Sequence, residues 1–246
     1  MSKKLVSIII PCYNEEADIV GKTNIVFNYI KNIKEYDFKI VLVNDGSKDN
    51  TLEMINSIKE ACVVSYTPNH GKGHAVREGI RYSYETLKAD YAIFMDADLS
   101  TDLEAITKCL ALLEQGVSFS AGSRYNKDSV IKIKQPLKRR FISKMSRIII
   151  ASRFHFGIKE TQCGFKGLNR DLMKLVINKS KMDGFSFDVE YFYLAKLYKL
   201  NYQTFGVIWS DDRGSTVIPF KTSMQVFKDL SRIKKNKKYY LDEESR

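Results

Sequence analysis

Asp96-Ala97-Asp98 follows the apolar run Tyr91 to Met95, which the sequence predicts to be a buried strand. At a strand end a bend can aim two such carboxylates at one hard divalent cation, Mg2+ or Mn2+, whose other positions go to phosphate oxygens. Aspartates also populate ordinary turns, so the pair gains meaning only from its neighbours. Three more polar clusters close apolar runs: Tyr13-Asn14-Glu15-Glu16 after Leu5 to Pro11, Asn44-Asp45-Gly46-Ser47 at the end of Phe38 to Asn44, and Asn69-His70-Gly71-Lys72-Gly73 after Ala61 to Tyr66. In the last, two glycines permit close approach of the backbone to a phosphate and Lys72 supplies a cation, although the Gly-x-x-x-x-Gly-Lys-Ser/Thr spacing of a P-loop is absent. A flexible polar turn is the plain alternative. In open α/β sheets ligands bind beyond the carboxyl ends of the strands, so four such clusters in succession point to one site for a diphosphate-bearing ligand.

The elements that must position these residues alternate. Apolar residues at helical spacing run from Glu15 to Ile33, a helix from Asp49 to Glu60 is opened by Asp49-Asn50-Thr51, and another runs from His74 to Leu87. This predicts an α/β fold with a central, mostly parallel sheet flanked by helices. Beyond Asp98 the pattern gives a helix from Asp102 to Gln115, strands at Val117 to Gly122 and Gly164 to Asn169, helices at Asp171 to Ile177 and Phe187 to Leu200, and a strand from Tyr202 to Trp209. No linker or repeat intervenes, so one domain is expected over residues 1–220, with a basic helix or tail over 221–246.

The formal net charge of +11 is not evenly spread. Ser129 to Lys159 holds nine lysines and arginines and no acidic residue. Within it, Leu137, Phe141, Met145, Ile148, Ile149 and Ser152 fall near one helical face, with Lys138, Arg140, Lys144 and Arg147 largely elsewhere. That is the pattern of an interfacial helix on an anionic membrane surface; a basic helix packed on the core is the alternative. No window approaches the ~20 apolar residues of a membrane span. The four cysteines show no paired or metal-type spacing and the amino terminus no signal-peptide pattern, so a cytoplasmic protein with free thiols is expected, peripheral on the inner membrane face. A nucleic-acid partner is not expected, since no RRM, helix-turn-helix or zinc signature accompanies the basic segment.

Taken in order, Ser7-Ile-Ile-Ile-Pro-Cys-Tyr-Asn-Glu-Glu16, Val43-Asn-Asp-Gly-Ser47, Gly71-Lys-Gly73, Asp96-Ala-Asp98, Gly122-Ser-Arg124, Thr161-Gln-Cys-Gly-Phe-Lys166 and Phe187-Asp-Val-Glu190 resemble the family 2 nucleotide-sugar glycosyltransferases of the GT-A fold. Within that family they look most like the dolichyl- or polyprenyl-phosphate hexose synthases, and the Thr161 and Phe187 strings look most like the glucose branch, which implies UDP-glucose as donor. The resemblance implies that Pro11, Tyr13 and Glu15 border the base and ribose and that Asp45, beside Gly46, accepts from the base edge. It also implies that Asp96, Ala97 and Asp98 face the metal and diphosphate near Lys72. Three residues depart from the pattern: Ser100 stands where mannose synthases commonly have a metal-facing glutamine, Glu160 where an aspartate is common, and Thr216 where a lysine is common.

A lipid phosphate is anionic near pH 7, because a phosphomonoester's second pKa is about 6, so it can attack the anomeric carbon without a strong base, inverting the configuration. Such an acceptor needs cations, and Arg124, Arg139, Arg140 and Arg213 are the candidates. A hydroxyl acceptor on a glycan, capsule or cell-wall polymer, the alternative reading, would need a base, for which Asp188 and Glu190 are first choices. The sequence leaves homo-oligomerisation open.

Overall fold

The computed structural model describes residues 3–133, 136–211 and 219–242, apart from the side chains of residues 138, 139 and 219–224. β-Branched residues, which suit a pleated surface, fill β1 (Lys4–Cys12). Then come α1 (Ile19–Ile30), β2 (Tyr36–Asp45), α2 (Thr51–Asn56), β3 (Cys62–Tyr66), α3 (Lys72–Glu85), β4 (Tyr91–Met95), α4 (Glu104–Glu114) and β5 (Phe119–Ser123). The second half holds β6 (Val130–Ile133), α5 (Leu137–Phe154), β7 (Phe165–Asn169), α6 (Arg170–Lys179), α7 (Phe187–Leu197), β8 (Tyr202–Gly206), β9 (Ile208–Ser210), α8 (Pro219–Lys235) and α9 (Lys237–Leu241).

The main sheet runs β3-β2-β1-β4-β7-β5-β8, parallel except for β7, which is antiparallel to both its neighbours. Successive side chains of a strand point to opposite faces, so the continuous apolar run of β1 feeds two cores. Ile9 packs with Val76, Phe94 and Phe187 on one side, while Ile8 and Ile10 join Ile19, Ile106 and Leu110 on the other. α3 lies close on β1 because residue 79 is glycine: a Cβ there would stand 2.4 Å from Ile9 Cγ2.

Two expectations are corrected. The strand from Tyr202 to Trp209 breaks at Val207, and its second half leaves the main sheet to pair in parallel with β6, inside the segment read only as basic. The break sits where Gly206 N donates to Asp128 Oδ2 at 3.2 Å and Val207 N to Ser123 O at 3.2 Å. The first two helices are also shorter at both ends than their apolar spacing suggested, the residues ahead of them joining the loops after β1 and β2. α5 buries Ile150 and Phe154 but leaves Leu137, Phe141, Ile148 and Met145 at 76%, 67%, 52% and 41% exposure. No helix among the described residues is long and apolar enough to cross a membrane.

Candidate active site

Register brings the strand ends together: Cys12 lies opposite Asn44, and Asp45 opposite Tyr66. The loops after β1 and β2 are then laced to each other. Asn14, in the left-handed region at φ 55°, accepts from Lys48 N at 2.9 Å and donates through its own N to Ser47 Oγ at 3.1 Å. Glu15 N donates to Thr51 Oγ1 at 2.8 Å. This holds Pro11 and Glu15 half-buried and Tyr13 exposed along one rim.

Asp45 is buried and its carboxylate gathers the loop after β3: Oδ1 accepts from His70 N at 2.8 Å, and Oδ2 from Asn69 Nδ2 at 2.8 Å and Gly71 N at 2.9 Å. A carboxylate has about four lone-pair directions, so about one is left, for a ligand donor or for the neighbouring Tyr66 hydroxyl. Gly46 sits at φ 62°, and a Cβ on it would stand 2.6 Å from Asn69 N.

The glycine-lysine loop does something other than cradle phosphate. A Cβ on Gly71 or Gly73 would meet Asp183 O at 2.6 Å or Met182 O at 2.5 Å, and Asp183 O accepts from Gly73 N at 2.7 Å and His74 N at 3.2 Å. The glycines admit the 182–184 backbone, which takes two of the free donors at the start of α3 that a phosphate would need. Held this way, Lys72 reaches across to Asp96 Oδ1 at 2.5 Å.

Asp96 and Asp98 stand beyond β4 at the middle of the sheet. Asp96 N donates to Gly164 O at 3.1 Å, and glycine there leaves the Asp96 carboxylate its place, since a Cβ would come within 2.0 Å of Oδ2 and push it aside. Asp98 accepts from Ser100 N at 2.9 Å. Burial, then the neighbouring Asp96 charge, pushes the Asp98 carboxyl above its ordinary range. Burial would lower the Lys72 ammonium, but Asp96, with Asp188 and Asp98, raises the pKa on balance. Asp188, at the start of α7, is ion-paired with Lys166 at 2.7 Å inside the protein; burial raises its carboxyl against that pull. The pair Asp96 and Asp98 fits a hard divalent cation in donor chemistry: both are carboxylates, and a cation would relieve the repulsion that raises Asp98. Among the described residues no cluster of three or more acids, histidines or cysteines surrounds them.

Arg124, just after β5, is committed to Glu160. Its Nε donates to Oε1 at 2.9 Å and its backbone N to Oε2 at 2.7 Å, Nη2 closes a further contact, and Glu160 is buried. The guanidinium carbon lies 5.1 Å from the Trp209 ring. The expected free acceptor clamp is therefore a buried pair, with two of the five guanidinium N–H groups turned to Glu160. Arg140 is exposed on α5; Arg213 and the Arg139 side chain lie outside the described residues.

Glu190, expected as an alternative base, is fully buried and accepts from Ser180 Oγ at 2.5 Å, Lys181 N at 2.8 Å, Met182 N at 3.0 Å and Tyr240 Oη at 2.6 Å. It organises the 180–182 loop and has no room for proton traffic with a substrate. Lys166 escaped the sequence reading, which gave it no role; a lysine inside an otherwise apolar strand was the available signal.

A model for glycosyl transferase family 2 matches residues 7–176. A dolichyl-phosphate beta-glucosyltransferase from Dictyostelium discoideum is 28% identical over 243 residues, spanning 93% of this chain and 73% of its own length. The Homo sapiens protein of that name is 28% identical over 253 residues, spanning 92% and 74%. Among solved structures, glucosyl-3-phosphoglycerate synthase from Mycobacterium tuberculosis in complex with UDP aligns with a TM-score of 0.71 at 16% identity, over 94% of this chain and 80% of that one. The same enzyme with Mn2+, UDP-glucose and glycerol 3-phosphate gives 0.69 at 15% identity, over 94% and 80%. At these identities the likeness shows the fold, GT-A.

Proposed function

The chain belongs to glycosyltransferase family 2, and from that premise we propose that it moves glucose from UDP-glucose onto a polyprenyl or dolichyl phosphate at an anionic membrane surface. Asp45, Gly46, Pro11, Tyr13 and Glu15 hold the nucleoside, with the open lone pair of Asp45 taking the base N–H. A divalent cation, Mg2+ or Mn2+, held by Asp96 and Asp98 when bound, neutralises charge on the departing diphosphate. Lys72 and Asp188 line the same centre, and Lys72 adds positive charge beside the leaving group. A phosphate oxygen of the acceptor bonds to the anomeric carbon as the bond to the UDP oxygen breaks, so the anomeric configuration inverts. No base is required for a nucleophile that is already anionic.

The observation that carries the lipid acceptor is the exposed row Leu137, Phe141, Met145 and Ile148 on a helix otherwise rich in lysine and arginine. Burying a large apolar side chain contributes about 1.5–3 kcal/mol, and each basic residue near an anionic leaflet about 1 kcal/mol. Seated there, α5 brings lipid phosphate to the site from the cytoplasmic leaflet. The same names among the relatives support this reading.

The test is transfer itself. The protein, Mg2+ or Mn2+, polyprenyl phosphate in anionic vesicles and a panel of UDP- and GDP-sugars are incubated together, and lipid-linked sugar is identified. A β-linked glucosyl lipid phosphate from UDP-glucose is expected. Absence of product with every donor overturns the reading, and an α-linked product overturns inversion.

A further inference from the structure

A second feature lies beside the site, between the C-terminal half of α5 and the loop leading to β7. It is an open cleft of about 130 Å3 whose polar lining includes Arg147, His155, Lys159 and Thr161, and whose apolar lining includes Ile150 and Phe156. Arg147 is laid on Tyr125, its guanidinium carbon 3.6 Å from the ring centroid, and its buried Nε has no hydrogen-bond partner. Neither Arg147 nor Lys159 forms an ion pair among the described residues. Glu160, the one carboxylate in the lining, is already taken by Arg124. The cleft therefore carries surplus positive charge over an apolar floor.

We propose that this cleft binds the junction of phosphate and first hydrocarbon in an amphiphilic phosphomonoester, with Arg147 and Lys159 on the phosphate and Ile150 and Phe156 under the chain. The proposal rests on the lipid-phosphate acceptor inferred above and names residues for it that the motifs do not contain. A planar arginine held flat by a ring presents its N–H groups as a fork matched to phosphate oxygens. Apolar side chains on the floor do nothing for inorganic phosphate or a soluble phosphorylated acid, so the lining favours the lipid-borne form. The cleft lining also runs on along the chain toward the aspartate pair. Thr161 precedes by three residues Gly164, whose carbonyl accepts from Asp96 N, and three residues span at most about 10 Å.

Binding is measured without donor, by calorimetry and by fluorescence of the single tryptophan, Trp209, using farnesyl phosphate, glycerol 3-phosphate and inorganic phosphate. The double variant Arg147→Ala, Lys159→Ala should bind farnesyl phosphate about 10- to 100-fold more weakly, the loss expected for charge-assisted hydrogen bonds, while its affinity for UDP is unchanged. Arg147→Lys, which keeps the charge and the stem over Tyr125, should lose less and guards against misfolding of the double variant. Unchanged farnesyl phosphate affinity in the double variant overturns the proposal, and so does glycerol 3-phosphate binding as tightly as farnesyl phosphate. Farnesyl phosphate that binds through these residues yet receives sugar from no donor upholds the cleft and overturns the acceptor reading instead.

Discussion

Replacing Glu190 by glutamine separates two roles that a buried glutamate in this family-2 site can have. Two backbone N–H groups and two hydroxyls converge on its oxygens, Lys181 N and Tyr240 Oη on one, Met182 N and Ser180 Oγ on the other. The hydroxyls can turn to accept from an amide, but the backbone donors cannot. Whichever way the amide is placed, one backbone N–H loses its acceptor, at about 1–3 kcal/mol, and the remaining bonds lose charge assistance worth about 1 kcal/mol each. The sum is about 4 kcal/mol, a large share of the 5–15 kcal/mol typical of a domain, and about 8–16 °C in Tm at this chain length. Function should fall too, because the loosened loop continues into Asp183, whose carbonyl caps α3 and so sets Lys72 against Asp96. Differential scanning calorimetry beside a transfer assay decides the matter. Tyr240→Phe, which removes one donor and keeps the ring, should show a smaller Tm loss, about 2 kcal/mol in stability. A Glu190→Gln protein that melts like the parent but has lost turnover would refute this structural role and restore Glu190 as a base.

Gly164→Ala should cut transfer sharply with only a modest fall in Tm, since the new methyl meets the Asp96 carboxylate rather than the core; turnover and melting measured together test it. Asp98→Asn should abolish metal-dependent transfer yet raise Tm near pH 7. A carboxyl whose folded pKa is raised is stabilising while protonated and loses that contribution as pH rises from its unfolded value through the folded one, so the gain should vanish in melts at pH well below 3.8. Lys166→Met leaves Asp188 buried without its partner and should cost about 3–5 kcal/mol, read by denaturant unfolding. Phe141→Asp with Ile148→Asp should remove most binding to anionic vesicles in flotation while melting stays near the parent, because both side chains are exposed.

The alternation of β-branched runs with amphipathic helices was enough to predict the sheet and the edge on which Asp45, Asp96 and Asp98 lie, because strand direction and side-chain alternation are local properties of the chain. The exposed apolar row of α5 was legible for the same reason: helical spacing gathers Leu137, Phe141, Met145 and Ile148 on one side, and the fold leaves that side uncovered. What no local pattern could supply is which distant group each polar residue meets. Gly71 and Gly73 look like a phosphate loop until the 182–184 backbone is seated on them, and Arg124 looks free until Glu160, 36 residues later, closes on it. Glu190 reads as an available base, but Tyr240, 50 residues on, makes it a buried hub. Buried charge takes its role from its partners, since an unpaired one is too costly to keep, and those partners are chosen only when the chain folds back on itself.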